Sequence, residues 1–525
     1  MRTAEDIWKE YQRGVDFNNQ IDLYERVRTN ENFFIGRQWE GLNVTTLDPL
    51  IFNVLRRVVN LFISMLVSDD ISVTAQPFRL TEDGEHLQKI LDRAISSVIE
   101  RAGIKGKNRY MLRNACVDGD GCFYIRFDTD KKSGQPIAGD IEVEVIENTD
   151  VFFGNPAVDD VQRQPYIILS MRRSVEEVRK EAVKRGMSRA EAECIQPDGL
   201  LQPQYDALQD DGERMVTVLL RMERRKNGIA FTKSTQHSII MPETIAPYHR
   251  YPVAYMSWER VKNCFHGASP ITEAIPNQIA INKLYSMYVQ CIKHVAFPKI
   301  IYDMTRFPNG YSSDIGKAVG MRGNPNEAIL AAFRAPDISA QVMPLLEQMI
   351  KNTMELMGAS DAVLGNVKPD NTSAIVTVQQ ATVAPLELVK MEFFRFVEDT
   401  VRSIVDLMRV HYGTRTICIT DENGEQKTER FDFDTLADYE LELNVEVGSS
   451  AYWAETMQTV TNDNLLANGI ITDPLLYVEN IPDSQIRGKA RLMRALREQK
   501  ETGQLQPLQG NKAAAQTKTN QGGTQ

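Results

Sequence analysis

The chain has 525 residues, of which 42% are hydrophobic and 25% are charged. This composition is that of a globular protein rather than a fibrous or disordered one, and the length provides for three or four structural units. The formal net charge of −11 argues against a protein that coats nucleic acid with its whole surface.

Neither a membrane span nor a disulfide-linked secreted fold is indicated. The longest apolar stretch, residues 61–67, is far shorter than the ~20 residues that cross a bilayer. The N-terminus MRTAEDIWKEYQRG lacks the apolar core of a signal peptide, and Thr3 followed by Asp6 predicts a helix start, so we expect a cytoplasmic protein. The cysteines lack paired short spacings and are expected to be reduced thiols: Cys116, Cys122, Cys194, Cys264, Cys291 and Cys418.

Positive charge is concentrated in two regions of this acidic chain. Residues 262–336 contain eight basic and four acidic residues, a net charge of +4. Residues 486–525 contain eight basic and two acidic residues, a net charge of +6. The last part, residues 503–525, is rich in Gln, Gly and Thr and is expected to be disordered. The net charge of +6 from residue 486 onwards suggests contact with packaged DNA or an acidic scaffold, or serves only solubility.

The first 110 residues have a helical pattern. One continuous helical face is predicted by the spacing of Phe17, Ile21, Tyr24 and Val27. The segment ENFFIGRQWEG then precedes a second, more apolar helix. Arg37, Gln38 and Trp39 in this segment are interpreted as an aromatic corner that packs two helices, and the less favoured interpretation is a nucleobase-stacking site.

From about residue 121 the apolar period changes to two, which predicts a small β-rich unit. The strand-like segments are GCFYIRFD, DIEVEVIE, DVFFG and PYIILSM. Ser174 with Glu177 predicts a capping box at the start of a helix that ends at Gly186. Asn227 and Gly228 predict the turn of a β-hairpin.

A long helix with few charges is predicted over residues 270–296, with Ser269 as its cap and Pro270 as its first residue. It would be about 40 Å long at about 1.5 Å per residue. Its predicted apolar stripe is Ile281, Leu284, Tyr285, Tyr288, Cys291, Ile292 and Val295. Residues 298–337 are expected to form one strand, KIIYD, and a loop broken by Gly and Pro. A second helix closed by Gly358 completes a long antiparallel pair.

Another long helix is predicted from Ser373 to Gly413, with a kink at Pro385. Its predicted apolar face is Leu386, Val389, Phe393, Phe396, Ile404 and Met408. A hairpin over residues 415–433, a strand within 439–448 and C-terminal helices follow. The fold class expected from the whole pattern is α+β.

No motif in the sequence points to catalysis, a cofactor or a metal. Asp118 and Asp120 beside two glycines suggest a calcium loop, but the sixth and twelfth loop positions hold Phe and Thr, so a β-turn is favoured. The segment GYSSDIGKA has the wrong glycine spacing for a phosphate loop. Cys264 and His266 have no second pair of ligands nearby, which favours a structural Cys and a surface or hinge His.

The order of these features resembles the portal proteins of tailed bacteriophages. The similarity begins at NENFFIGRQWEG and FNVLRRVVNLFISMLVSD and continues through NTDVFFGNPAVDDVQRQPYIILSMRRSVEEV. It is strongest at FHGASPITEAIPNQIAINKLYSM and includes NTSAIVTVQQATVAPLELVKMEFFRFVEDTV and LNVEVGSSAYWAETMQTV. Each motif alone has modest specificity, and their order along most of the chain carries the resemblance.

The resemblance implies a non-enzymatic subunit of a ring, usually a homo-dodecamer, at one vertex of the capsid. Double-stranded DNA would be pumped through the ring by terminase, retained, and later released through the tail. The implied partners are other copies of the chain, double-stranded DNA, the terminase large subunit, the major capsid protein, the head-tail adaptor and a scaffolding protein. The ring would be assembled in the host cytoplasm and would reside in the virion.

The resemblance also implies a layout along the chain. The units would be a wing (1–261), a stem (262–297 and 338–358), a clip (298–337), a tunnel loop (359–372), a kinked helix with the rest of the wing (373–450), a crown (451–502) and a tail (503–525). The clip residues expected to face terminase or the adaptor are Arg306, Lys317 and Arg322. The tunnel-loop residues expected to face DNA are Asn366, Lys368 and Asn371.

Two alternatives stay open at this point. One is a cytoplasmic nucleic-acid-processing enzyme with an unrecognised carboxylate site, because the chain has 71 acidic residues and no pair of them stands out. The other is a multidomain scaffold with no role in DNA handling.

Replacing Lys368 is expected to impair packaging or retention of DNA while assembly stays normal. Lys368 is the only basic residue between Lys351 and Lys390, so a ring would carry an isolated tier of positive charge at its channel. Such a tier contacts phosphates without reading sequence. A packaging assay on purified proheads compares Lys368→Ala with Lys368→Glu. If the charge reversal packages and retains DNA normally, the loop does not grip DNA through Lys368.

Overall fold

The structure is a computed structural model that describes residues 2–41, 48–67, 71–77, 82–135, 137–199, 214–296, 299–307, 322–324, 330–333, 339–359, 386–420, 426–438, 441–447 and, with short gaps, 459–501. These residues form a mixed α+β fold with several small antiparallel sheets, which confirms the predicted class at this level. None of the described helices is both long enough and apolar enough to span a bilayer.

The described helices are α1 (Ala4–Gln20), α2 (Leu23–Ile35), α3 (Val54–Val67), α4 (Glu82–Arg101), α5 (Ile104–Asp118), α6 (Val175–Lys184), α7 (Arg189–Glu193), α8 (Pro270–Ala296), α9 (Ser339–Leu356), α10 (Glu387–His411), α11 (Pro474–Glu479) and α12 (Lys489–Glu501). The strands are β1 (Ile71–Pro77), β2 (Asp120–Asp128), β3 (Asp140–Ile146), β4 (Val151–Phe153), β5 (Tyr166–Ser174), β6 (Met215–Arg225), β7 (Gly228–Ser234), β8 (Ile239–Ala246), β9 (Val253–Ser257), β10 (Lys299–Tyr302), β11 (Leu330–Phe333), β12 (Thr414–Thr420), β13 (Gln426–Asp432) and β14 (Leu441–Val447).

Two antiparallel sheets form the β-rich unit that the sequence predicts. One has the order β4-β5-β6-β7-β8 and the other β3-β2-β9. The hairpin between β6 and β7 turns at Gly228, whose φ of 137° and close approach to the Ala246 backbone both exclude a side chain. All four strand-like segments from GCFYIRFD onwards are strands, and in β2, β4 and β5 at least three consecutive residues are buried, so both faces of these strands are covered.

The N-terminal region, predicted to be entirely helical, also contains a strand. β1 pairs in antiparallel register with β14, from Ile71 opposite Val447 to Pro77 opposite Leu441. The partner strand lies in the C-terminal half of the chain, so local periodicity around residue 71 could not reveal it. β11 was likewise missed, and it pairs with β10.

The helical face predicted across residues 17–27 is wrong, because two helices meet inside it. α1 ends at Gln20, and Asp22 adopts a left-handed φ of 53° before α2 begins. Asn18 is buried at this corner, where its amide contacts the Tyr24 hydroxyl at 3.4 Å. The predicted start of α1 is confirmed, since Thr3 and Asp6 form a capping box.

The predicted capping box at Ser174 is also wrong. α6 does begin after Ser174, but this side chain makes no capping hydrogen bond. A complete capping box forms instead at Ser188 and Glu191, at the start of α7. Both sites have a Ser followed three residues later by a Glu, so residue types alone do not distinguish them. They differ in that Ser174 is also the last residue of the strand β5.

The main hydrophobic core lies where α10 crosses β2 and β9. Phe123 of β2 contacts Phe396 of α10 with ring centroids 4.8 Å apart. Every predicted apolar-face residue of α10 is buried, namely Leu386, Val389, Phe393, Phe396, Ile404 and Met408. The predicted kink at Pro385 and the predicted helix start at Ser373 lie outside the described residues.

The turn predicted at Asp118 is instead the C-terminal cap of α5. Gly119 adopts a φ of 102°, and its N–H donates to the Ala115 carbonyl at 3.0 Å. A Cβ atom on Gly119 would lie 2.6 Å from the Gly267 carbonyl oxygen, so the backbone before α8 packs directly on this cap.

Gly119→Ala is expected to lower the free energy of unfolding by roughly 2 kcal/mol or more. The left-handed backbone conformation is unfavourable for Ala, and the new methyl group would collide with the Gly267 backbone. The matched control is Gly106→Ala in the same helix, where a Cβ meets nothing within 4 Å and about 0.5 kcal/mol of stabilisation or no change is expected. Urea unfolding followed by circular dichroism compares the two. Equal stability of both variants would contradict this account of Gly119.

Candidate functional site: a two-helix arm and its polar anchor

The arm consists of α8, α9 and the hairpin β10–β11 that connects them. α8 packs along α9, and Lys299 of β10 pairs with Phe333 of β11. α8 contains 27 residues, which corresponds to a length of about 40 Å. The predicted antiparallel pair is therefore present.

The first turn of α8 is pinned to the end of α5. The Ser269 hydroxyl donates to the Cys116 carbonyl at 2.7 Å and accepts from the Ile271 N–H at 3.1 Å. One turn further, Thr272 contacts Asn30, whose amide also donates to the Val117 carbonyl at 2.8 Å. Ser269 thus acts as the predicted cap and also ties α8 to a neighbouring helix.

His266, immediately before this helix, is buried and is not a surface residue. Its Nδ1 lies 2.8 Å from an Asp120 carboxylate oxygen, and its Nε2 lies 3.2 Å from the Asn18 side-chain oxygen. The other Asp120 oxygen accepts from the Gly267 N–H at 2.6 Å. Burial raises the pKa of the adjacent Tyr255 hydroxyl well above its ordinary value. The prediction that His266 lies at the surface is therefore wrong. The alternative prediction, a hinge position, is compatible with the structure.

Three uncharged polar residues, Gln278, Asn282 and Ser286, form a polar ladder along one face of α8. Each accepts a hydrogen bond from a backbone N–H at or just before the start of α3, and all three are buried. The three bonds are Val54 N–H to Gln278 at 3.0 Å, Phe52 N–H to Asn282 at 3.0 Å and Leu50 N–H to Ser286 at 3.4 Å.

The spacing of the ladder follows from the geometry of the two backbones. Residues four apart in a helix are separated by about 6.0 Å along its axis. The three bonded N–H groups belong to residues 50, 52 and 54, so every second N–H of this segment meets every fourth residue of α8. The two segments run in opposite directions.

The ladder is connected to Gln38, which the sequence analysis assigned to the aromatic corner. The Asn282 amide donates to the Gln38 side-chain oxygen at 2.6 Å, and Gln38 donates to the Phe33 carbonyl at 2.8 Å. Trp39 donates through Nε1 to the Leu50 carbonyl at 3.0 Å. These contacts support the packing interpretation of the corner rather than the nucleobase-stacking one.

Beyond Ser286 the arm presents apolar side chains to solvent. On α8 these are Met287, Ile292 and Val295, and Ile292 is 43% exposed. Leu345 of α9 and Ile301 of β10 are exposed as well. The predicted apolar stripe is therefore buried only at its start, since Ile281 is buried and its last members are not. Exposed apolar residues grouped on one element are typical of an interaction surface.

Two of the three predicted clip residues are brought together at the tip of the arm. The Arg322 N–H donates to the Arg306 carbonyl at 2.9 Å. The Arg306 guanidinium lies 3.8 Å from the Asp303 carboxylate, and Arg322 is exposed. Lys317 lies outside the described residues, as do the tunnel-loop residues Asn366, Lys368 and Asn371.

No group of three or more His, Cys, Asp or Glu side chains in the described part of the chain is placed to hold a metal ion. The buried carboxylates Asp120 and Asp140 are engaged by neighbouring protein donors, including Gly267 N–H and the Tyr412 hydroxyl.

The ladder was missed at the sequence level although it leaves a signal. Gln278, Asn282 and Ser286 follow the i, i+4, i+8 rule on a helix with few charges. Polar residues in this pattern indicate a face that is both buried and hydrogen-bonded.

No protein-family model matches the sequence, and no curated protein is significantly similar to it.

Asn282→Ala is expected to lower the free energy of unfolding by roughly 3 kcal/mol. The substitution leaves the buried Gln38 side-chain oxygen without its donor and the partly buried Phe52 N–H without its acceptor. The control is Asn277→Ala, the same change in the same helix at a position with no hydrogen bond to the described residues, where a loss within about 0.5 kcal/mol is expected. Urea unfolding measures both. Similar losses would show that the ladder does not anchor α8.

Proposed function

We propose that the protein is a portal subunit of a tailed bacteriophage and forms a closed ring through which double-stranded DNA passes. The observation that carries the proposal is the arm, whose base is fixed by the polar ladder and whose outer half exposes apolar side chains. The resemblance of the sequence to portal proteins supports it independently, because that similarity is strongest where the arm begins.

The arm suits assembly by head-to-tail contacts. In such a ring, one face of each subunit contacts a different face of the next, and the ring closes when the rotation per subunit is right. Ile292 and Val295 would be covered by a neighbouring subunit, since an exposed apolar patch gains stability only when it leaves water. The fixed base gives every copy of the arm the same direction, which a closed ring requires.

The partners follow from the proposed role. The tip of the arm, with Arg306 and Arg322, would contact the terminase large subunit during packaging and the head-tail adaptor afterwards. The rest of the ring would contact the major capsid protein, and a scaffolding protein during assembly. In this proposal the protein acts as a channel and docking platform and not as an enzyme.

Native mass spectrometry and negative-stain microscopy of the purified chain test the proposal. We expect closed rings with a central channel. If only monomers are observed across several salt concentrations, the proposal is overturned, and a monomeric enzyme becomes the favoured alternative.

Val295→Asp is expected to weaken ring assembly while the subunit stays folded. A charged side chain at an interface that excludes water disrupts it, and we expect the concentration needed for assembly to rise at least about tenfold. The matched control is Val183→Asp on α6, because both valines are 37% exposed. Analytical ultracentrifugation measures assembly, and urea unfolding measures stability. If the two variants assemble equally well, the outer half of α8 is not an interface.

A further inference from the structure

A small pocket of about 150 Å³ lies between α4 and β12, away from the arm. Its polar lining includes three arginines, Arg93, Arg101 and Arg415, together with Ser97 and Thr416. No acidic side chain lines it. A pocket of this size and charge calls for an explanation in a chain whose net charge is −11.

Arg415 is the key residue, because it is buried and only partly hydrogen-bonded. Its side chain is 3% exposed, and its guanidinium lies over the Tyr412 ring at 3.5 Å. One terminal nitrogen, Nη2, donates to the Gly139 carbonyl at 2.7 Å. The other two nitrogens, Nε and Nη1, donate to no acceptor among the described residues. Buried donors of this kind are rare, since leaving them unpaired is costly.

The helix α4 supplies the opposite wall from a single face. Arg93, Ser97 and Arg101 are separated by four residues each, so their side chains lie in a row. Arg101 binds the Asp140 carboxylate through Nε at 3.0 Å. Within the described residues, Arg93 has no ion pair and the Ser97 hydroxyl has no hydrogen bond, so both retain donors for a ligand.

The positive charge of the pocket is only partly balanced by the protein around it, because Asp140 accepts a hydrogen bond from Arg101 alone of the three arginines. Asp140 is the one carboxylate near Arg415 among the described residues, and its nearest oxygen is 3.9 Å from Nη1, too far for a hydrogen bond. Asp140 also accepts from the Tyr412 hydroxyl at 2.8 Å and from the Ile141 N–H at 2.9 Å. Burial lowers the pKa of Arg415, as expected for a cation that has lost water and gained too little opposite charge.

We propose that this pocket binds an oxyanion of the phosphate class, either inorganic phosphate or the terminal phosphate of a small monoester. A tetrahedral phosphate presents oxygens in several directions, which suits guanidinium groups converging from α4 and β12. A flat carboxylate would engage one guanidinium well and leave the others unmatched. The pocket is too small for a nucleic-acid duplex. The proposal does not depend on the ring.

Isothermal titration calorimetry on the full-length protein tests the site. The titrants are inorganic phosphate and glycerol 3-phosphate, each in chloride buffer at constant ionic strength. We expect saturable binding of inorganic phosphate, and phosphate should also raise the midpoint of thermal unfolding. Binding of glycerol 3-phosphate as well would identify a site open to monoesters, whereas binding of phosphate alone would identify a site for the free ion.

Variants assign the binding to this pocket. Arg93→Gln and Ser97→Ala alter the exposed wall, and Arg93→Gln is expected to raise the Kd for phosphate about tenfold because one charge-assisted hydrogen bond is lost. Arg57→Gln on α3 is the control, since Arg57 is also exposed and has no ion pair among the described residues. Arg415→Met is expected to abolish binding, and its unfolding curve checks that the variant is folded.

The proposal is overturned by any of three results. The first is no saturable heat for either titrant beyond that of chloride. The second is unchanged phosphate affinity in both Arg93→Gln and Ser97→Ala, which would place binding elsewhere. The third is an equal loss of affinity in Arg57→Gln, which would indicate a general effect of surface charge.

Discussion

The long helix α8 owes its position to hydrogen bonds from three uncharged side chains, Gln278, Asn282 and Ser286. Apolar packing alone does not set such a position, because an apolar face tolerates a shift along or around the helix axis. Hydrogen bonds to every second N–H group of residues 50–54 tolerate no such shift. A displacement by one turn would leave buried donors and acceptors unpaired, which costs about 1–3 kcal/mol for each group. The direction of the whole arm therefore depends on this ladder.

The junction before α8 adds a second constraint of the same kind. Asp120 is held between the His266 ring and the Gly267 N–H, and Gly119 closes against the Gly267 carbonyl. These contacts connect the end of α5 and the start of β2 to the residues that precede α8. The helix is thus fixed at its base by a polar cluster and along its first half by the ladder, while the second half relies on α9 and the connecting hairpin.

The sequence predicts the elements well where they are buried against the core. The face of α10 around Phe393 and Phe396 is recovered because its period reflects burial of one side, and the strand around Phe123 is recovered as an apolar run that is buried on both faces. The failures have two physical causes. β1 forms by pairing with β14 far along the chain, and the break at Asp22 depends on a left-handed backbone at a residue whose type permits many conformations.

The candidate site was predictable only in part, for a related reason. The arm follows from local pattern, since Pro270 and Gly358 mark a helix start and a helix end. The role of Asn282 does not, because its partners Phe52 and Gln38 are distant in sequence. The pocket around Arg415 was missed altogether, as its walls come from α4 and β12. The repeat of Arg93, Ser97 and Arg101 was visible in the sequence, but its meaning depends on the buried guanidinium opposite it.

The two halves of α8 differ in what they leave for a partner. In the first half, the polar groups of Gln278 and Asn282 are occupied by other parts of the same chain, so they offer no hydrogen bonds to a second protein. In the second half, Ile292 and Val295 are apolar and exposed, so their burial is available only through association. In the proposed ring, folding and association would therefore draw on different residues of one helix. On that proposal, the association surface can change at Ile292 or Val295 without loss of the fold, whereas a change at Asn282 alters the direction of the arm and every contact that depends on it.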